Sequence, residues 1–461
     1  MKTKYIFSPV LMGTLSFLFV QCQRFVEVDY PTNQISQVTV FKDRTTALSA
    51  LANVYANLRS NSLLAGNISG VPFLTGCYTD ELQTNSTQQN GMKAFYDLTL
   101  LSTTPAVDDI WVSSYRNIYA VNNIIEGVAR SGVYLDEATR NTLTGEALAI
   151  RALLHLYLSG LYEEVPYVET TEYKVNQTIS KNSLSQIYSK LQSDLLQAEN
   201  LLSDTYPATE RTRINKTAAR LLLARVFIYH QQWEKARQYA NLVIANPTNS
   251  LETSLPNVFL KGAKSTIWQF APVEMGSNTL EGQTYIIRDT PPPYAFLSTG
   301  LLSSFETGDL RLSEWTKSIV AGTDTYFYPF KYKQYAKTPA SLEYSVMLRV
   351  EEAYLIAAEA ENRLGNTAAA LQNLSSIRSR AGLTTPAAAT QSVIQNLIIQ
   401  EKRHEFFTEG GHRFLDLKRW NLLETTLQPI KPQWQTFMKN WPLPQRELLV
   451  NSNLKPQNDG Y

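Results

Sequence analysis

Adjacent carboxylate pairs such as Asp80-Glu81, Asp108-Asp109 and Glu163-Glu164 are residues whose type suits general acid and base work. A glycosidase needs two such groups flanking one bond, roughly 5 to 9 Å apart. Adjacent residues supply that geometry poorly. Neighbours on a helix diverge by about 100°, and neighbours on a strand face opposite sides. His404-Glu405 opens like the zinc-protease pattern His-Glu-x-x-His, but residue 408 is Thr and the next histidine is His412. The other two histidines, His155 and His230, build no cluster with metal-ligand spacing. A Gly-x-Ser-x-Gly elbow and a phosphate-binding glycine loop are both missing. These residues therefore point to no enzyme, no cofactor and no metal site.

Binding without turnover calls for exposed rings. Tyr294 and Phe296 follow Pro291-Pro292-Pro293 and lack helical periodicity. A stiff polyproline segment can hold such rings open, and sugar C–H faces or peptide side chains stack on them. Tyr78, Asp80, Tyr326 and Tyr328 are assigned to the same surface. Trp111, Tyr115 and Tyr119, at i, i+4 and i+8, are read as core. Trp233 and Trp420 lie in helical packing patterns.

The elements that must carry these residues are mostly helices. Ala47, Leu48, Leu51, Val54, Tyr55 and Leu58 mark one amphipathic helix, and further helices are predicted around 110–125, 138–162 and 184–202. Residues 217–247, with Leu223-Ala224, Phe227, Trp233, Ala236 and Ala240, have the spacing of a tetratricopeptide unit, and 351–380 repeat it up to a Gly365 stop. Such pairs stack because each alone leaves an apolar face uncovered. The fold class is thus all-α dominated, a tetratricopeptide-like superhelix with long loop-rich insertions and a few short strands. One domain is expected over 37–461, with helical repeats at about 37–247 and 346–420. Residues 61–107 and 248–345 are rich in Pro, Gly and polar residues, with β-like pieces at 265–270 and 284–287. Long irregular insertions on a helical scaffold are where function resides.

At the amino end, Lys2 and Lys4 precede the apolar run Tyr5 to Val20, which reads as a signal peptide over 1–21. Cys22 stands where a bacterial lipoprotein signal places its acylated cysteine, and 22–36 read as a tether. The other cysteine is Cys77, so a disulfide framework is excluded. Forty-two basic residues face 41 acidic ones, and removal of 1–21 leaves 40 against 41. Nucleic acid, which calls for a basic stripe, is not an expected partner. No later stretch is long and apolar enough to span a membrane.

The last sixty residues are the most distinctive. Arg403-His404-Glu405-Phe406-Phe407-Thr408-Glu409-Gly410-Gly411-His412-Arg413-Phe414-Leu415-Asp416 is followed by Trp441-Pro442-Leu443-Pro444-Gln445 and Gln457-Asn458-Asp459-Gly460-Tyr461. Two helices turning at Gly410-Gly411 are predicted, with Glu405, Glu409, Arg413, Asp416 and Arg419 pairing at i, i+3 and i+4 or across the turn. This string resembles the C-terminal signature of the SusD/RagB family. The resemblance extends through Gly145-Glu146-Ala147, Arg151-Ala152-Leu153, Phe305-Glu306, Gly308-Asp309 and Ala381-Gly382-Leu383. Glu163-Glu164 stand where the family usually has Gly-Asp before Val-Pro, and Ser375 where it commonly has Asn. The resemblance implies a lipoprotein on the outer face of an outer membrane, anchored through Cys22 and seated over a SusC-like TonB-dependent transporter. It further implies a nutrient ligand, an oligosaccharide in the first instance and a peptide as the alternative. A tetratricopeptide envelope scaffold without nutrient binding is the reading from a different class.

Overall fold

The computed structural model describes residues 37–87 and 91–461. The signal segment, Cys22 and the tether lie outside the described residues. Helices form where the apolar spacing and caps predict them. Arg44–Ser60 starts at Asp43, whose carboxylate accepts the Thr46 N–H at 2.9 Å, and buries Ala47, Leu51, Val54, Tyr55 and Leu58 along one stripe. Leu184–Leu201 opens with a reciprocal Ser183/Gln186 capping box.

The long helices pack in chain order. Pro105–Arg130 lies on Glu137–Tyr162, which lies on Leu184–Leu201, and Lys216–Tyr229 and Trp233–Ile244 follow. The next member of the stack against Trp233–Ile244 is Val350–Arg363, then Thr367–Arg380 and Gln391–Phe406. The chain therefore leaves the superhelix after Ile244, runs for about a hundred residues, and re-enters beside the helix it left. Alanines with no solvent exposure, among them Ala218, Ala224, Ala236, Ala240, Ala357 and Ala358, allow the close approach. Buried ion pairs stitch the layers. Arg151 grips Asp194 (2.7 and 2.6 Å), and Arg225 grips Glu352 (both 2.6 Å).

The excursion is more regular than its composition suggests. Its strands are β2 (Thr266–Phe270), β3 (Phe296–Leu297), the hairpin β4 (Thr316–Ala321) and β5 (Asp324–Pro329), and β6 (Ser345–Arg349), while β1 (Leu82–Gln83) lies in the earlier loop region. β2 and β6 pair antiparallel, and β6 runs straight into the Val350–Arg363 helix. The β-like reading of 265–270 holds. That of 284–287 does not: Leu280–Tyr285 is a short helix capped by Thr279, whose hydroxyl accepts the Gly282 N–H.

Tyr119 also departs from its expected place. Trp111 is buried, but Tyr119 is half exposed. Eight residues at about 100° each overshoot two turns by about 80°, enough to rotate the third ring off the core stripe.

The predicted turn at Gly410-Gly411 joins Gln391–Phe406 to His412–Arg419, and both glycines take positive φ (52° and 68°). A Cβ on Gly411 would also sit 2.9 Å from Val71 Cγ1, so the position needs glycine twice over. The charges around it pair differently from the expectation. Only Asp416–Arg419 is a local i, i+3 pair. Glu405 binds Arg311, Arg349 and Arg380; Glu409 binds Arg349 and Lys331; Arg413 reaches Asp80; Arg419 also reaches Glu359. The corner is buried, so its charges find partners on other elements that bring a guanidinium or ammonium to them.

Candidate functional site

The two loop-rich regions meet on one surface. β1 pairs antiparallel with β3, Leu82 opposite Leu297 and Gln83 opposite Phe296. Three hydrogen bonds extend the seam. The Ser298 N–H donates to the Glu81 carbonyl (2.9 Å), the Ser298 hydroxyl to the Asp80 carbonyl (2.5 Å), and the Thr84 hydroxyl to the Tyr294 carbonyl (2.6 Å). Under the seam, Phe296 meets Tyr326 edge to face at 5.0 Å, and Ile286, Ile287 and Tyr328 complete a small apolar cluster. Tyr294 stands at this seam with 37% of its surface exposed. Asn85 and Thr87 on the β1 side and Asp324 in the hairpin are exposed polar residues of the same two regions. A further exposed ring, Tyr335, carries the Arg288 guanidinium 5.2 Å from its centre.

Of the six residues assigned to the ligand surface, the structure leaves Tyr294 open. Phe296, Tyr326 and Tyr328 come together under the seam, but all three are buried. Tyr78 and Asp80 need correction. Tyr78 is fully buried, ringed by Phe95, Phe414, Trp434 and Trp441, and its hydroxyl donates to the Met438 carbonyl at 2.8 Å. Asp80 is buried between Arg413 (2.8 Å to each oxygen) and Arg403 (2.7 Å). Burial alone would raise its carboxyl, but the two arginines outweigh that and hold it below the usual carboxylate range. Neither residue has a surface to offer a ligand.

The adjacent carboxylate pairs do not converge on a cleft. Glu81 is buried behind Asp80, and burial plus that neighbouring charge push it up to about 8. Glu163 is held by Lys418 at 2.9 Å. His155, His404 and His412 are packed inside the protein, where burial depresses them to about 3, 3 and 4. Among the described residues, no three His, Cys, Asp or Glu side chains are grouped as a metal would require, and no helix is long and apolar enough to cross a membrane.

Comparison with known proteins matches this architecture. The model of the SusD family matches residues 304–461, and a second, described as starch-binding and associating with the outer membrane, matches residues 33–228. The chain belongs to the SusD/RagB family. Two SusD-like proteins of Formosa agariphila, P25 and P2, are similar along almost their full length: 25% identity over 97% of this chain and 98% of P25, and 24% over 94% and 95% for P2. Solved structures share the fold. A SusD superfamily protein of Bacteroides vulgatus superposes with a TM-score of 0.80 at 21% identity, over 92% of this chain and all of the other. A laminarin-binding SusD-like protein gives 0.74 at 21% identity, over 91% of this chain and all of that one.

Within this SusD/RagB chain the signature string has a structural role. The Trp441 N–H donates to the Leu161 carbonyl (2.8 Å), and the Asn458 amide reaches the carbonyls of Tyr162 (2.8 Å) and Trp441 (2.7 Å). Gln457 exchanges two hydrogen bonds with the Leu443 backbone. The terminal residues thus close over the carboxyl end of the Glu137–Tyr162 helix, satisfying carbonyls that the helix itself cannot.

One feature that sequence reasoning missed is a trough along the outer face of Arg44–Ser60. Thr45, Ser49, Ala52 and Ala56 recur there every three or four residues. A small-residue stripe opposite the apolar one was its available signal.

Proposed function

We propose that this protein captures an oligosaccharide on the seam surface around Tyr294 and delivers it to a SusC-like TonB-dependent transporter, without chemical turnover. The observation that carries the reading is the joining of both loop-rich regions by β1 and β3 under a half-open tyrosine. The Thr84 hydroxyl pins the Tyr294 carbonyl, so the backbone that carries the ring is fixed before a sugar face stacks on it. Membership of a family described by starch binding and outer-membrane association supports the ligand class and the compartment. In this reading Cys22 carries the lipid that holds the protein on the outer face, since two or more acyl chains can anchor a domain whose described residues include no helix long and apolar enough to cross a membrane.

Calorimetry with a panel of neutral glucan oligosaccharides and peptides tests the site. Tyr294→Ala should weaken glycan binding about tenfold, the loss of one stacked ring with its buried area. Unchanged affinity would place the site elsewhere, peptide binding in place of glycan would select the alternative ligand, and product formation would overturn the non-catalytic role. Phe296→Ala is a poor probe, because Phe296 is buried under the seam and its truncation costs about 3 to 5 kcal/mol of stability. Fatty-acid labelling that persists in Cys22→Ser would refute the anchor.

A further inference from the structure

The trough on the Arg44–Ser60 helix lies apart from Tyr294 and has a charge character of its own. Its middle, about 480 Å³, runs between Thr45, Ser49 and Ala52 on the helix and Thr212, Arg213 and Phe270 opposite. Leu48 and Arg213 also line a cleft of about 440 Å³ that reaches Arg44 and Tyr206. Arg59 and Phe270 also line one of about 270 Å³ that extends to Tyr344. The three share these lining residues along one side of a 17-residue helix, about 25 Å long.

The carboxylates along it are engaged. Asp136 caps its helix by accepting from Thr139, Glu343 accepts the Lys333 and Gln334 N–H groups, and Glu274 pairs with Lys337. Arg213 is neutralised by Glu146. Arg59 is not neutralised, and Arg44 has only the field of Asp136, to which the Thr139 hydroxyl bridges it. Among the described residues neither has a carboxylate within ion-pair distance. Arg44 gives its Nε to the Thr139 hydroxyl (3.1 Å), and Arg59 gives one Nη to the Ala271 carbonyl (3.1 Å) and its Nε to Ser60 (3.1 Å). Each keeps free N–H groups. Burial lowers the Arg59 guanidinium, as it does for a cation lacking a counter-charge.

We infer that this trough is a second binding site, for a carboxylate-bearing oligosaccharide whose uronate groups pair with Arg59 and Arg44. Guanidinium recognises carboxylate through paired N–H donors, and Arg59 stands where the 480 and 270 Å³ spaces meet. A sugar is favoured over an acidic peptide because the walls carry exposed hydroxyls, from Thr45 and Ser49, that suit the hydroxyl-rich edge of a sugar.

Calorimetry with hexagalacturonate, with maltohexaose as neutral control and a Glu-rich heptapeptide as the competing class, tests this on the mature protein. Hexagalacturonate should bind, more weakly as salt rises, and Arg59→Gln should reduce its affinity at least tenfold. Arg59→Lys, which keeps the charge and loses the paired donors, should fall between wild type and Arg59→Gln. Ala52→Trp, which fills the trough and keeps every charge, should abolish it. Tyr294→Ala should leave it unchanged, so this site and the seam surface fail independently. Absence of hexagalacturonate binding, equal binding by Arg59→Gln, or binding of the heptapeptide alone would overturn the inference. So would a dimer in sedimentation that Ala52→Trp dissociates, since a second copy would then be the occupant.

Discussion

Arg413 and Asp80, 333 positions apart, form a two-pronged buried ion pair with both N···O distances at 2.8 Å. The pair ties the signature turn to the chain just before β1, so the family's C-terminal string holds one half of the seam beneath Tyr294. Removing one partner strands a buried charge, which costs about 3 to 5 kcal/mol, more than the pair contributes over an apolar replacement. Asp80→Ala, which strands both Arg413 and Arg403, should lower urea-unfolding stability by that order, and Arg413→Ala, which leaves Asp80 its Arg403 partner, by less. The double variant should lose markedly less than the sum, and strict additivity would show that the two charges are not coupled.

The helical frame was readable because it repeats. Leu223-Ala224, Phe227, Ala236 and Ala240 declare paired helices by period alone, and those residues are buried in the structure. The seam was not readable, because β1 and β3 are two residues each and pair through backbone groups across about two hundred positions, leaving no side-chain pattern. Tyr78 and Asp80 failed for a different reason. A tyrosine or an aspartate suits a ligand surface and a satisfied core equally by type, and only the location of Trp441 and Arg413 separates the two cases. The exposure of Tyr294 was legible through the prolines that break helical period beside it.

Helix contact in the repeats can be tested by volume. Ala224 and Ala358 have no exposed surface. Leucine at either position should force its neighbours off their rotamers and cost about 1 to 3 kcal/mol. An unchanged melting midpoint for both variants would contradict the packing.

Glu81 makes stability depend on pH. Its carboxyl is raised from an ordinary 4.5 to about 8 by burial and then by Asp80. Between those values the folded state holds a proton that the unfolded state has released, so stability falls as pH rises from about 5 to 8. The depressed histidines act in a lower window. His155, His404 and His412 stay neutral when folded while the unfolded chain protonates below about 6.5, so they remove stability as pH falls toward 4. Glu81→Gln should keep the acid-side loss and flatten the slope between about pH 7 and 8, above the histidine window and above Glu281, whose carboxyl burial raises to about 7. Urea midpoints at half-unit steps would read it, and an unaltered slope between pH 7 and 8 would show that Glu81 is not the group responsible.

Asn458 should prove more important than its place near the chain's end suggests. Its amide donates to the carbonyls of Tyr162 and Trp441, one of which belongs to the last turn of a helix. Asn458→Ala leaves both acceptors without that donor, at a cost of about 1 to 3 kcal/mol. Hydrogen exchange should then rise at the Trp441 amide, which donates to Leu161 in the same corner. Unchanged protection there would separate the terminal residues from that helix end.

Glu163 sets two effects of comparable size against each other. It ends the Glu137–Tyr162 helix at φ 73°, a conformation suited to the glycine more usual in the family, and a side chain there costs about 1 to 2 kcal/mol. Its carboxylate is also the ion-pair partner of Lys418, whose ammonium has one other acceptor, the Gly160 carbonyl at 2.8 Å. Burial lowers the Lys418 ammonium, so loss of the carboxylate leaves a poorly solvated cation, and a hydrogen bond to a charged group is worth about 1.5 to 3 kcal/mol. The charge term is the larger. Glu163→Gly alone should therefore destabilise by about 1 kcal/mol in spite of the relieved backbone. With Lys418→Met beside it, no charge is left to satisfy and the backbone gain remains, so the double variant should unfold at or above the wild-type urea midpoint. A double variant less stable than Glu163→Gly would mean that Lys418 matters through packing or its Gly160 contact, and that the carboxylate is not the reason for the non-glycine residue at this turn.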